Sequence, residues 1–248
     1  MSDHLAAPAP LEEHRKLAVF AGEWTGEEMV YPSRWTEGGP ATSQVVARID
    51  LNGFYLIQDT RQMRDGKETF ATHGVFTYDR EDRTYKLFWH DSLGYYPPSP
   101  LPEHHKLAVF AGEWDGEEVV YPSRWTAGGP ATSHVTARMD LNGFYLIQDT
   151  RQMRDGKESF ASHGLFTYDR EDRLYKLFWH DSLGYNPPSA ASGGWAGRTL
   201  TLVRGSLRGN ARHVYEVIDD NSYAMKIQFS PDAEGWADVL TGVYRRIH

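Results

Sequence analysis

The sequence predicts an all-β, antiparallel fold. Three observations carry this: turn signals recur about every dozen residues, β-branched and aromatic runs lie between them, and only one short helical segment precedes each set of strands. The second of these sets is a copy of the first. Residues 10–99 and 100–189 align without a gap at an offset of 90, and 77 of the 90 positions are identical. Residues 190–248 occur once. A period of 90 is too long for a solenoid unit, and two copies are too few for an array. The chain is therefore read as two parts: residues 10–99, the first copy, and residues 100–248, the second copy plus tail.

Within each copy the order of elements follows from local signals. Leu11 to Gly22 reads as an entry helix, with Glu12 and Glu13 in its first turn and Leu17, Phe20 and Ala21 on one face. Five strands follow, near 22–32, 41–51, 54–64, 67–79 and 84–94. They are divided by GGP (38–40), LNG (51–53), RDG (64–66) and REDR (80–83). Asp65-Gly66 is a dipeptide that tolerates positive φ at both central positions of a hairpin. The tail adds five more runs: Gly194–Ala196, Thr199–Arg204, His213–Ile218, Tyr223–Phe229 and Asp238–Arg246.

Alternation shows how the strands are used. Val45, Ala47, Ile49 and Leu51 share one face, opposite Val46, Arg48 and Asp50. If REDR turns with Tyr78 opposite Tyr85, then Phe76 meets Leu87, Gly74 meets Trp89, Thr72 meets Asp91 and Phe70 meets Leu93. One face is then mainly apolar with a single Asp. The other carries Val75–Phe88 and His73–His90. A sheet with two semi-apolar faces suits a barrel with an interior cavity and external contacts.

Composition excludes several classes. With 26 Lys+Arg against 34 Asp+Glu the chain is formally −8, which argues against a nucleic-acid binder. The absence of Cys removes disulfides, thiol catalysis and thiolate metal sites. The longest uncharged apolar stretch, Leu17 to Gly22, is far short of a membrane span. The first residues have no basic and apolar regions of a secretory signal, so a cytoplasmic location and no membrane partner are expected.

FAGEWTGEE, with its G-x-W between entry helix and first strand, resembles the signature of calycin barrels. With LNGFYLIQD, HGVFTYD, FWHDSLG, GGWAGRTLTL and LTGVYRR, the chain resembles the bacterial lipocalin-like family labelled domain of unknown function fifteen seventy-nine. That resemblance implies kinship with nitrobindins and fatty-acid-binding proteins, which are up-and-down barrels of about ten strands. A full member would correspond to residues 100–248, a complete lipocalin-like barrel, and the resemblance leaves residues 10–99 as an incomplete half-barrel. Nitrobindins hold haem on an axial His. The tail offers His213 and His248, neither in a context matching that ligand, and no cofactor is expected.

Asp91 and Asp181, each beside a Trp (89 and 179), are the candidates for acid–base chemistry, because burial against aromatics would raise a carboxyl pKa. The bland alternative is an Asp held by Ser92 or a backbone amide at a strand end. His73 and His90, repeated as His163 and His180, offer two nitrogens but no third metal ligand, and no metal site is expected. Trp24 and Trp114 read as floor plugs against the entry helix. Tyr31, Arg34 and Trp35 could rim a cavity mouth or form a solvated loop. The run from Gly193 to Gly197 is followed by a strand and so lacks a phosphate-binding helix N-terminus.

A ligand site on the mainly apolar face should be lined by Tyr121, Phe144, Gln148, Phe166, Trp179 and Asp181, with Tyr215 and Met225 from the tail. Three functions fit: a barrel binding a small apolar or aromatic molecule, an enzyme using cavity Asp, His and Tyr, or a duplicated scaffold whose extra half drives oligomerisation. The orphan strands of the first copy, followed by the Pro-rich linker Tyr96 to Pro102, predict a homodimer.

Overall fold

A computed structural model of the chain describes residues 8–33, 36–94, 99–123, 126–185 and 189–247. The chain divides into two compact units, Ala9–Pro100 and Leu101–His248. The first holds helix α1 (Glu12–Lys16) and one five-stranded antiparallel sheet in chain order: β1 (Gly22–Val30), β2 (Gly39–Asp50), β3 (Tyr55–Arg64), β4 (Lys67–Asp79) and β5 (Thr84–Asp91). The second holds α2 (Pro102–His105) and a closed barrel of ten strands. Five come from the second copy: β6 (Gly112–Val120), β7 (Gly129–Asp140), β8 (Tyr145–Arg154), β9 (Lys157–Asp169) and β10 (Leu174–Asp181). Five come from the tail: β11 (Ala191–Ala196), β12 (Thr199–Ser206), β13 (Gly209–Asp219), β14 (Ser222–Ser230) and β15 (Ala237–Arg246).

The barrel is an antiparallel meander in which each strand pairs with its chain neighbours, and β15 closes onto β6 from Leu240↔Val120 to Arg246↔Trp114. The tail thus completes the second copy. Among the described residues no single fifteen-stranded sheet forms: an odd insertion of five strands would force one parallel seam, and two separate antiparallel sheets avoid it.

The turns form for local reasons. Asp65-Gly66 and Asp155-Gly156 take positive φ at both positions. At the REDR turns, Asp79 Oδ1 accepts from the N–H groups of Glu81 and Asp82, and Asp169 does the same for Glu171 and Asp172. The predicted β4–β5 register is present from Asp79↔Thr84 to Thr72↔Asp91. It stops there, and Phe70 does not meet Leu93. Ser92 ends the ladder by bonding Ala71 through both its N–H and its hydroxyl.

Three element boundaries differ from expectation. The entry helix is one α turn over Glu12–Lys16 followed by a 3-10 turn over Leu17–Phe20, and Gly22 opens β1 rather than ending a helix. Its start is held by His14, whose Nδ1 accepts from the Leu11 N–H; burial holds this imidazole below its usual pKa, consistent with the neutral acceptor form. His104 repeats the arrangement with Leu101 in the second copy, where Pro102 opens α2 instead of extending the linker. The first tail strand is longer than the Gly194–Ala196 run and starts at Ala191, because Leu177 pairs with it.

Inside the barrel, the 3-10 turn over Lys106–Phe110 closes one end. Phe110, Trp114, Phe166, Tyr215, Tyr223 and Tyr244 are fully buried there. Phe110 meets Tyr223 edge-on, and Tyr223 stacks on Tyr244 at 4.7 Å. Trp114 Nε1 donates to the Phe110 carbonyl, which fixes the plug to β6.

Candidate functional site

The inward positions of the strands follow from two-residue alternation: Tyr175, Leu177, Trp179 and Asp181 on β10; Leu200, Leu202 and Arg204 on β12; His213 and Tyr215 on β13; and Tyr223 and Met225 on β14. Near the plug these are apolar. Toward the other end they become polar, and there the structure gathers Trp179, Asp181, Arg204 and His213.

Asp181 is buried. Trp179 Nε1 donates to its Oδ2 at 3.2 Å, and the Leu183 N–H donates to its Oδ1 at 3.0 Å. Burial pushes this carboxyl up to about 6, against the opposing pull of those two donors and of the Arg204 charge. His213 packs against Trp179 with ring centroids 4.9 Å apart. Burial, and next the nearby Arg204 charge, push its imidazole down to about 3, so it is neutral. The Arg204 guanidinium lies 5.3 Å from the Tyr185 ring and, among the described residues, forms no ion pair.

Among the described residues, three buried polar atoms of this interior have no hydrogen-bond partner: Arg204 Nε, His213 Nδ1 and Tyr215 Oη. Buried polar atoms are otherwise nearly always satisfied, so three in one aromatic interior mark a place where partners are missing. A second polar group, Glu118, is by contrast satisfied. Its carboxylate accepts from Ser133 Oγ at 2.7 Å, Gln152 Nε2 at 2.6 Å and the Tyr244 hydroxyl.

The expected lining residues fall into three places. Trp179, Asp181, Phe166, Gln148, Tyr215 and Met225 all lie on the inner face, with Phe166 edge-on to Tyr215 at 5.5 Å and Met225 opposite Tyr215. Phe144 does not join them. It sits in the 3-10 turn before β8, at the plugged end, edge-on to His104. Tyr121 lies just past β6, half-buried, its N–H donating to Val239. Asp91 is half-buried, accepts from the Leu93 N–H, and stands beside an exposed Trp89.

His163 and His180 lie on the outer face of the barrel, their rings 6.4 Å apart. His163 Nδ1 is engaged by Asp149 at 2.7 Å, as His73 is by Asp59, which removes one nitrogen from the two a metal would use. Among the described residues no group of three or more His, Asp or Glu is placed to hold a metal. Tyr31 is exposed; Arg34, Trp35 and His248 lie outside the described residues, as do linker residues 95–98. A groove of about 580 Å³ runs over the outer face, beside Glu117, Arg212 and Lys226, and is not the interior.

Sequence reasoning missed Arg204 and Glu118, and weighed His213 only as a haem ligand. The signal was present in the alternation: Leu200, Leu202 and Arg204 share parity, as do His213 and Tyr215, and Trp114, Gly116 and Glu118.

The chain is similar to Rv2717c from M. tuberculosis, at 14% identity and TM-score 0.46, over 60% of this chain and 100% of that one. It is also similar to the S-type phycobiliprotein lyase CpeS from Guillardia theta, at 11% identity and TM-score 0.42, over 60% of this chain and 99% of that one. A comparison with curated proteins gives no match. The family model described as a protein of unknown function, DUF1579, matches the chain twice, over residues 9–96 and 99–246, and the chain accordingly belongs to the DUF1579 family.

Proposed function

We propose that the barrel formed by the second copy and the tail binds a small, mainly apolar or aromatic molecule that carries a hydrogen-bonding group, an anionic one best of all. The observation that carries this reading is the set of unpartnered atoms on Arg204, His213 and Tyr215 within an aromatic wall. An unpaired buried donor costs about 1–3 kcal/mol, more when charged. A ligand acceptor placed before Arg204 would recover that cost, while Trp179, Phe166 and Met225 would cover its apolar body.

The test is titration with an aromatic sulfonate whose fluorescence rises in apolar surroundings. Trp179→Ala and Arg204→Gln should each weaken binding about tenfold, equivalent to about 1.4 kcal/mol. Trp89→Ala, the matching change in the first copy, reports any probe held by the first copy instead. If Trp179→Ala folds normally and binds as tightly as the parent, the interior is not the site.

A second reading, acid–base catalysis, is favoured by the Asp181 carboxyl being held near 6, close to the working pH of a proton carrier. Mass spectrometry of a co-purified molecule, before and after incubation with Asp181→Asn or the parent, separates binding from conversion.

A further inference from the structure

We propose that the inner face of β1–β5 is an acceptor surface for the same five strands of a second copy of this chain. The two sheets close into a ten-stranded barrel about a two-fold axis perpendicular to the barrel axis.

The second copy shows what this face is built to do. Trp114 is 2% exposed and its counterpart Trp24 is 52%; Leu177 is 1% and Leu87 is 49%; Trp179 is 8% and Trp89 is 47%. Phe20 and Tyr85 are likewise exposed where Phe110 and Tyr175 are buried. The strand registers and the bulge in β3 are the same as those of the second copy at an offset of 90. The first sheet therefore has the shape of half a barrel and the aromatic lining of one, with β1 and β5 as its edges. An apolar face with two edges of this kind is an association surface.

The occupant follows from what covers the matching face. In the barrel five antiparallel strands do so, joining at β10 and at β6. The chain's own tail is fully engaged in that barrel, through β10–β11 and β15–β6. The remaining five-stranded sheet of matching curvature is the first copy of another molecule.

Symmetry then fixes the seams. Five strands of a meander leave β1 and β5 running in the same direction. A two-fold axis along the barrel would set β5 parallel to β1 of the partner. A perpendicular axis instead sets β5 against β5 and β1 against β1, both antiparallel, as in an isologous interface. Along the β5 seam, with Leu87 on the axis, Leu87 faces Leu87 of the partner subunit and Tyr85 faces Trp89 of the partner subunit. Along the β1 seam, with Gly26 on the axis, Trp24 faces Glu28 of the partner subunit and Thr25 faces Glu27 of the partner subunit. None of the three glutamates of β1 then lies directly opposite another.

The experiment is light scattering on the full chain at micromolar concentration. A mass of about 57 kDa, twice the 28.3 kDa chain, is expected. Trp89→Glu, at an exposed position, should halve that mass with circular dichroism unchanged. Leu87→Cys, the only thiol in a cysteine-free chain, should form a disulfide-linked dimer on oxidation, because the β5 seam brings the two positions within bridging distance. A mass of 28 kDa for the parent overturns the proposal. So does a species larger than a dimer, or a dimer that survives Trp89→Glu and gives no Leu87→Cys cross-link.

Discussion

The guanidinium of Arg246 lies 4.0 Å from the ring centre of Trp114, and its two Nη groups donate to the carbonyls of Ala111 and Val109. The last strand thus caps the carbonyl end of the plug and covers the tryptophan of the first barrel strand in one contact. Trp24 keeps the same local bond to Phe20 that Trp114 makes to Phe110. What the first copy lacks is the arginine from a tail.

Arg246→Ala should therefore destabilise the barrel by about 2–4 kcal/mol, from one cation–π contact and three charged hydrogen bonds, the third from Nε to the Asp220 carbonyl. Arg246→Lys should lose about half of that, since an ammonium cannot reach all three carbonyls with fixed geometry. Urea unfolding followed by tryptophan fluorescence measures both. A loss below about 0.5 kcal/mol for the alanine variant would show that the contact is not a clasp.

Asp181 gives the barrel a pH dependence of defined sign. Its carboxyl sits at about 6 in the folded barrel and at about 3.9 in an unfolded chain. Between these values the folded state holds a proton that the unfolded state has released. Its stabilising contribution is complete below pH 4 and is lost as pH rises through 6, by about 3 kcal/mol. The difference in unfolding free energy between the parent and Asp181→Asn should change by that amount between pH 4 and 7.5. A constant difference would place an ordinary carboxyl at 181.

His213 works in the opposite direction. Its imidazole is held at about 3 in the fold, against about 6.5 unfolded. Its contribution to stability is present above 6.5 and is lost as pH falls toward 3. The His213 ring resonances should not titrate between pH 8 and 5 in the parent. In Arg204→Gln, which removes one of the two causes of the depression, the transition should move upward. A parent midpoint near 6.5 by NMR would show that the ring is not buried as described.

The two adjacent glycines of the first tail strand should behave differently. A Cβ on Gly193 would collide with the Thr201 carbonyl oxygen of the paired strand, whereas one on Gly194 would meet nothing within 4 Å. Gly193→Ala should thus cost about 2–4 kcal/mol or detach β11, and Gly194→Ala should stay within about 0.5 kcal/mol of the parent. Thermal unfolding of the two variants side by side checks this. Equal midpoints would mean that β11 does not approach β12 this closely.

Much of this was legible in the residues. REDR and Asp-Gly turns, the β4–β5 register and the inward parity of Trp179 and Asp181 all depend on neighbours a few positions away. Phe144 was misplaced because the rest of the FYLIQDTRQM run alternates poorly and Phe144 itself belongs to the turn before the strand, so no periodicity reported its direction. Arg204 was overlooked because a single arginine at the end of TLTLVR looks like a solvated strand end. Only the closure of β12 beside β13 sets it against Tyr185 and His213 in the interior.

The duplication marks the boundary between the two kinds of information most clearly. The sequence by itself determined five strands per copy, their turns, their order and their pairing, since these rest on hairpins and side-chain alternation, and both copies fold alike in those respects. It did not determine burial. Trp24 and Trp114 stand in nearly identical segments and make the same backbone bond, yet one is open and the other enclosed. Burial depends on what covers a residue, and the covering strands lie more than a hundred positions away, after the second copy alone. Only the tertiary structure decided which half became a barrel, because closure is a contact between β15 and β6 that neither segment specifies on its own.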